Sequence, residues 1–300
     1  MNNKKALGNS ILVVTAMIWG MAFAFQKEGM DHIGPLSFAM SRLVLSILAA
    51  LVMIAMRRAA GRAPVYAGPE EAAKARSAEI RGGVLCGSFL ATASLLQQVA
   101  IVRATAGKAG FITALYVVLV PVMGTLVFRK STGILQWLAV AVGTAGLYLL
   151  CVKGEFRLSP EDTLLILCAL AFSFQILFCD RYVADADPIR MSLVQFITAL
   201  AISAAFAFTF ETPRISDMIA AGRAIAYCGL ISGGLGYSFQ MIGQRYADPV
   251  AASLILAAES VFSVIGGWIL LGEMLSAREL LGCCVMFAAI VLSQIPQKKS

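Results

Sequence analysis

The chain has 300 residues, of which 59% are hydrophobic and 14% are charged, and its formal net charge is +7. Soluble domains are about 45–50% apolar and about 25% charged, so a soluble α/β enzyme, a nucleic-acid-binding protein and a disordered chain all fit this composition poorly. Because a helix of about 20 apolar residues crosses a bilayer, the sequence predicts an all-α membrane protein with several spans.

Ten apolar stretches follow one another along the chain, and each is long enough to cross a bilayer. Backbone groups within lipid must be satisfied inside their own segment, so we expect helices rather than strands. The predicted spans, numbered as helices 1 to 10, are residues 9–27, 35–56, 82–102, 106–128, 133–152, 162–180, 189–210, 222–244, 250–272 and 277–295.

The first stretch follows two lysines, and its apolar run begins at Ile11. A basic start before a short apolar run is also typical of a secretory signal peptide. Here the run continues to Phe25, which makes it long enough to cross a bilayer. We therefore expect an uncleaved first span.

The longest connection joins the second and third spans. From Arg57 to Arg81 it contains six basic residues, two prolines and an acidic patch at Glu70–Glu71, so we expect a solvated cytoplasmic linker that can include a short surface helix. With ten spans and cytoplasmic termini, fifteen Lys and Arg residues lie inside and eight outside, and Arg42 lies within a span. This positive-inside bias predicts that both termini are cytoplasmic.

The second half of the chain repeats the first. At an offset of 153 residues Trp19 matches Phe172, and at an offset of 143 residues Tyr116 matches Glu259. Since each half contains five spans, an odd number, the two halves would have opposite orientations. Inverted repeats of this kind are typical of secondary transporters, whose site lies near the middle of the membrane. The predicted repeats are residues 9–151 with helices 1–5 and residues 162–294 with helices 6–10.

Five passages of the sequence carry a family resemblance. They are Ala16–Gly20 AMIWG, Pro35 with Ser41–Leu45 SRLVL, Leu96–Val99 LQQV, Thr105–Pro121 TAGKAGFITALYVVLVP and Ser253–Glu273 SLILAAESVFSVIGGWILLGE. In their order and spacing they resemble the EamA type of the drug/metabolite transporter superfamily. The resemblance implies ten helices in two EamA repeats and a central cavity that excludes helices 5 and 10. The chain departs from the family at Ser260, where a proline often follows the glutamate, and this puts a kink of helix 9 in doubt.

Glu259 is the acidic residue near the middle of a predicted span. A charge at that depth costs about 2.5–3.5 kcal/mol on insertion scales and indicates a functional site. We predict that Glu259 binds a substrate amine or exchanges a proton and so couples transport, because burial disfavours the charged form of a carboxyl group. The alternative is a glutamate that packs between helices and bonds to a neighbour. Its repeat match, Tyr116, is expected to face it.

Polar and aromatic side chains in other spans form a second group. Tyr237, Gln240 and Gln244 share one face of helix 8 at i, i+3 and i+7. Amides bind polar substrates but also hold helices together, and aromatic rings can stack on flat or cationic substrates or simply pack. The predicted substrate-binding residues are Trp19, Gln97, Tyr116, Gln175, Tyr237, Gln240 and Glu259.

Two further residues lie within predicted spans. Arg42 is about two turns into helix 2, where it can pair with an acid or a substrate carboxylate. Its long stem can instead extend toward the lipid headgroups, and this structural role is the one we prefer. Pro121 lies deep in helix 4 and suggests a kink or hinge there.

The sequence contains no motif that is typical of a metal site or of a catalytic nucleophile. Its seven cysteines lie in or beside apolar runs without a C-x-x-C motif, and its single histidine, His32, lies in a predicted loop. We therefore expect no metal centre, no cofactor and no catalytic residues. A P-loop motif, which would indicate ATP hydrolysis, is also missing.

These features favour a secondary transporter that exports a small metabolite or drug-like compound by alternating access, with proton coupling through Glu259 as one mechanism. An intramembrane enzyme would need paired acids, a serine–histidine pair or a metal cluster, and a channel would need polar rings or a filter loop. The expected partners are a small-molecule substrate and the lipid bilayer, without nucleic acid. The expected location is the bacterial inner membrane. Substrate, direction, coupling ion and oligomeric state stay open.

Overall fold

The computed structural model describes residues 2–104, 106–152, 159–271 and 276–295, and all regular secondary structure in these ranges is helical. Each predicted span coincides with one helix or with two or three consecutive ones, although the last residue of helix 9 lies outside the described residues. The helices are α1 (Asn2–Gly29), α2 (Pro35–Ala59), α3 (Pro69–Ile101), α4 (Ala106–Ala114), α5 (Tyr116–Leu126), α6 (Ile134–Cys151), α7 (Pro160–Val183), α8 (Pro188–Phe210), α9 (Ile215–Ala220), α10 (Gly222–Ala226), a π-helical segment (Tyr227–Tyr237), α11 (Ser238–Gln244), α12 (Pro249–Ala257), α13 (Glu259–Leu271) and α14 (Ala277–Ser293).

Seven helical stretches among the described residues are long and apolar enough to cross a membrane. They are α1, α2, α3, α6, α7, α8 and the stretch Lys108–Leu126, which joins α4 to α5. Large apolar side chains on these helices, such as Leu48 and Leu51 of α2, are exposed rather than buried, as expected for a surface that faces lipid. The protein is thus an all-α, multi-pass membrane protein, while the count of ten spans and the inverted repeat stay predictions.

Helix α3 is longer than the predicted third span. It begins at Pro69, at the first helical position, with Glu70 and Glu71 in the first turn. Proline is tolerated at that position, and acidic residues there are stabilised by the helix dipole. The surface helix expected in the linker is therefore the first part of α3. At 1.5 Å per residue its 33 residues extend about 50 Å, well beyond a hydrocarbon core of about 30 Å.

Two predicted spans are each broken into two helices, at matching positions. Leu115 separates α4 from α5 with φ −60° and ψ −8°, and Ala258 separates α12 from α13 with φ −62° and ψ −8°. These positions are 143 residues apart, the offset of the second set of repeat matches. At both, the backbone N–H bonds to the carbonyl three residues earlier, at 3.2 and 3.1 Å, which tightens the last turn. Helix 9 is thus interrupted even with Ser260 in place of proline.

Pro121 lies inside α5 without ending it. Its ring cannot donate a hydrogen bond and clashes with the carbonyl four residues earlier, that of Val117. The break at Leu115 lies before that carbonyl, and the matching break at Ala258 has the same geometry although the position that corresponds to Pro121 is Val264. The proline therefore does not explain the break, and the kink expected at Pro121 stays a prediction.

The eighth predicted span contains a π-helical segment, Tyr227–Tyr237, between α10 and α11. Side chains of other helices bind two backbone carbonyls of this segment. The Ser46 hydroxyl donates to Gly229 O at 2.9 Å, and the Trp19 indole N–H donates to Ser232 O at 3.0 Å. Gly229 permits this approach, because a Cβ there would lie 2.7 Å from the Arg42 carbonyl oxygen.

The helices pack in two matching groups. Helix α1 packs against the π-helical segment, α11, α12 and α13, while α7 packs against α3, α4 and α5. Helix α2 lies against α8, and α6 lies against α14. The largest apolar core joins side chains of α1, α4, α5, α6, α7, α12, α13 and α14. A central space is left between α1, α7 and their neighbours.

The bundle has two distinguishable ends. At one of them the Asn9 side-chain amide donates to Gln294 Oε1 at 2.7 Å, so the first and last helices meet there. We call this the terminal end and the other the opposite end. Ion pairs at the terminal end include Arg57–Asp187, Lys74–Asp185 and Lys130–Asp180. Those at the opposite end include Lys108–Asp162 and Arg103–Glu161.

Candidate functional site

A cavity lies inside the bundle, lined by aromatic, amide and charged side chains. Both halves of the chain contribute to its wall, through α1 to α5 on one side and α7, the π-helical segment, α11 and α13 on the other. No described residue of α6 or α14 lines it, which is what the resemblance implies for helices 5 and 10. All seven residues predicted to bind substrate lie on its surface. Their placement is a finding, and their role in binding stays a prediction.

Glu259 and Tyr116 meet in this cavity because each is the first residue after a helix break. The Tyr116 hydroxyl donates to Glu259 Oε1 at 3.5 Å, and the two side chains are 3% and 6% exposed. Ordinary O–H···O hydrogen bonds measure 2.5–3.0 Å, so this contact is weak. Glu259 is therefore a buried acid that faces the cavity with little stabilisation from the protein.

Close packing of α1 holds the break before Glu259 in place. Gly20 lies against it, and a Cβ at Gly20 would come within 2.6 Å of the Glu259 carbonyl oxygen. Only a residue without a side chain allows the two backbones to approach this closely. The AMIWG passage thus brings Trp19, next to this glycine, to the level of the glutamate.

Trp19 is fixed from two sides. Its indole N–H donates to Ser232 O, and its ring lies 4.7 Å from the Tyr237 ring at an angle of 51°. Phe172, the repeat match of Trp19, lines the same cavity. Trp19 therefore supports the π-helical segment and forms part of an aromatic wall, while its stacking on a substrate stays a prediction.

The amides form a network across the cavity wall. Gln175 Nε2 donates to Gln240 Oε1 at 3.2 Å, and Gln240 Nε2 donates back to Gln175 Oε1 at 3.0 Å. Gln175 Nε2 also donates to Gln195 Oε1 at 3.0 Å. Elsewhere on the wall, Gln97 Nε2 donates to the Thr113 hydroxyl at 3.3 Å. Gln195, which the sequence reasoning missed, positions Gln175 without lining the cavity itself.

Two other polar residues, Gln244 and Lys108, lie away from the cavity. Gln244 was expected on the same helix face as Gln240, but its Nε2 donates to Ile176 O. Only Tyr237 and Gln240 of that face line the cavity. Lys108 pairs with Asp162 at 2.7 Å near the opposite end.

Arg42 is placed differently from our preferred interpretation. It is 9% exposed and lines the cavity, so its stem does not extend to the lipid headgroups. Its depth in α2 was visible in the sequence, but the close approach of the glycine-rich π-helical segment at Gly229 was not. No ion pair joins Arg42 to Glu259. Among the residues that the structure describes, the cavity surface therefore carries one base, one acid, several amides and a set of aromatic rings.

Metal binding finds no support among the residues that the structure describes. Within those ranges no group of three His, Cys, Asp or Glu residues is close enough to hold an ion. The cysteines are free, and all but Cys151 and Cys284 are buried. The cavity is consequently suited to binding a small polar molecule by charge, hydrogen bonds and ring contacts.

Comparisons with known proteins agree with this geometry. The model of the EamA-like transporter family matches residues 6–152 and 159–294. An uncharacterized transporter of Archaeoglobus fulgidus is 24% identical over 281 residues, which cover 94% of this chain and 83% of that protein. The uncharacterized inner membrane transporter YedA of Escherichia coli K12 is 28% identical over 186 residues, 60% of each chain.

Two further proteins are similar to this chain. The solute carrier family 35 member B1 homolog of Drosophila melanogaster is 27% identical over 198 residues, which cover 60% of this chain and 57% of that protein. One protein of known crystal structure matches with a TM-score of 0.75 over 96% of both chains at 16% identity. At that identity the match supports the fold and nothing further.

Proposed function

The chain belongs to the EamA-like transporter family, and we propose that it is a secondary transporter that exports a small metabolite or drug-like compound by alternating access. The observation that carries this proposal is the central cavity, which collects an acid, a base, amides and aromatic rings from both halves of the chain. Such groups at the centre of a membrane protein are costly unless they meet a polar solute. We assign substrate binding to the seven predicted residues and proton exchange to Glu259.

An inverted repeat would supply the two states that alternating access needs. In support, the breaks at Leu115 and Ala258 have the same backbone geometry and lie at matching positions. Helix α1 of the first half matches α7 of the second, and α13 of the second half matches α5 of the first. In agreement, α1 packs against α13 and α7 packs against α5. We propose that the two repeats, residues 9–151 and 162–294, move against each other around the cavity.

We propose that the terminal end of the bundle faces the cytoplasm of a bacterial cell. Lys and Arg are concentrated at that end, in the connection between α2 and α3 above all, and the positive-inside rule places such loops in the cytoplasm. The name of YedA, an inner membrane transporter, supports the inner membrane as the location.

A channel and an intramembrane enzyme are the alternatives, and the family membership weighs against the enzyme. Counterflow separates a carrier from a channel, because only a carrier exchanges internal for external substrate through one site. We would first screen compounds by thermal stabilisation of the purified protein and then load each hit into proteoliposomes. Saturable uptake with counterflow is expected. Uptake that rises linearly with concentration and shows no counterflow would contradict the proposal.

A further inference from the structure

A second, smaller cavity lies beside the central one. Arg42 and Tyr237 line both cavities, while Ser94 of α3 and Phe196 of α8 line only the second. The rest of its wall is largely apolar. It has room for a guest of about the size of one water molecule, so an organic solute is too large for it.

The polar groups of this cavity that are left without a partner are hydrogen-bond donors. Within the described ranges, no residue forms an ion pair or a side-chain hydrogen bond with the Arg42 guanidinium, and Arg42 is only 9% exposed. The Ser94 and Tyr237 hydroxyls have no hydrogen-bond partner there either. The Ser46 hydroxyl and the Cys228 thiol, by contrast, already donate to backbone carbonyls.

The charge of Arg42 is not compensated from the wall of this cavity. Among the residues that the structure describes, no acidic side chain lines it, and no ion pair reaches Arg42 from the central cavity. A guanidinium stays protonated in proteins and can only donate. A buried charge without a partner is costly, because it has lost its hydration. Water could accept its hydrogen bonds, but only an anion would also neutralise it.

The second half of the chain has no such uncompensated charge. At the offset of 153 residues, Arg42 corresponds to Gln195, a neutral side chain whose Oε1 accepts from Gln175 Nε2 at 3.0 Å. Gln175 in turn corresponds to Ala22, which offers Arg42 no polar group. The need for a guest is therefore particular to the first half.

We propose that the second cavity binds a single monatomic anion, chloride under physiological conditions, between the Arg42 guanidinium and the Ser94 and Tyr237 hydroxyls. The small size of the cavity excludes phosphate, sulfate and carboxylates. The bound anion neutralises Arg42 and connects α2 and α3 of the first half to the π-helical segment of the second. The site is separate from the place of the transported solute and does not depend on the proposed transport function.

The melting temperature of the purified protein measures binding when chloride replaces gluconate at constant ionic strength. For the wild type we expect a saturable rise with chloride and with bromide, but not with sulfate. Arg42→Gln should abolish the rise. Ser94→Ala should weaken chloride binding at least about tenfold, because hydrogen bonds to an ion are strong. The control Arg57→Gln removes a cation that pairs with Asp187; it should lower the melting temperature and keep the chloride midpoint.

Crystals grown in bromide locate the anion by its anomalous scattering, and we expect a peak between Arg42 and Ser94. A wild type without a saturable chloride effect, an equal effect of sulfate, a wild-type chloride midpoint in Arg42→Gln, or a bromide peak only at other places would each overturn the proposal. If Arg42→Gln does not fold, Ser94→Ala decides: an unchanged chloride midpoint in that variant overturns the proposal by itself.

Discussion

Replacement of Glu259 by glutamine tests the charge of the cavity acid directly. The substitution keeps the size of the side chain and its weak 3.5 Å contact with Tyr116. Because the substitution also removes a charge whose burial is unfavourable, we expect Glu259→Gln to fold at least as stably as the wild-type protein. If the charge takes part in transport, the rate should fall at least about tenfold, equivalent to about 1.4 kcal/mol in a barrier.

The chain offers a matched control at Glu279, which is 6% exposed like Glu259. It lies away from the cavity and caps α14, where its carboxylate accepts from Ser276 N at 2.9 Å and from the Ser276 hydroxyl at 2.7 Å. Glu279→Gln should therefore lower the melting temperature and leave the transport rate per folded molecule unchanged. Tyr116→Phe removes the weak contact with Glu259 together with a hydroxyl on the cavity wall, so it should reduce transport but keep its dependence on pH.

The assay is uptake into proteoliposomes at several values of pH, with rates normalised to folded protein. If Glu259 exchanges a proton, wild-type transport varies with pH and Glu259→Gln transport does not. A Glu259→Gln protein with the wild-type rate and the wild-type pH profile would refute the reasoning. Equal losses in Glu259→Gln and Glu279→Gln would refute it too, because they would show that any buried glutamate matters to the same degree.

Two other predictions concern the cavity wall and the topology. Trp19→Ala and Gln240→Ala should each reduce transport more than Trp137→Ala, since Trp137 of α6 is only half-buried and lies outside the cavity; similar losses in all three variants would remove the support for this wall. In a background without native cysteines, a membrane-impermeant maleimide should label Ser216→Cys of α9 but not Val65→Cys in intact cells. Val65 is 93% exposed in the connection at the terminal end, so only the membrane would protect it. Labelling of Val65→Cys would reverse the proposed orientation.

The helices and the central acid–tyrosine pair were predictable from the sequence for definite reasons. Apolar stretches of bilayer length leave the backbone no alternative to a helix. The constant offset of 143 residues between Tyr116 and Glu259 predicted that they face each other, and they lie within 3.5 Å. Periodicity alone placed Gln240 on the same face as Tyr237, and both line the cavity.

Other features depend on packing between distant segments, which a single sequence does not display. The break at Ala258 could not be predicted from a proline, because helix 9 has none near it. It lies where Gly20 of α1 approaches the backbone of Glu259. The π-helical segment depends on hydrogen bonds from Trp19 and Ser46, which lie about 200 residues away in the chain. Arg42 was misjudged because its surroundings, rather than its depth, decide whether the stem can reach the membrane surface.

The bond from the Trp19 indole to Ser232 O has a consequence for inhibitor design. A compound that pushes the indole aside would break this bond, at a net cost of about 0.5–1.5 kcal/mol. That cost equals roughly a twofold to tenfold loss of affinity. Ligands that lie flat against the ring and leave the indole N–H in place avoid it, so the most potent blockers of this cavity should preserve the Trp19–Ser232 bond.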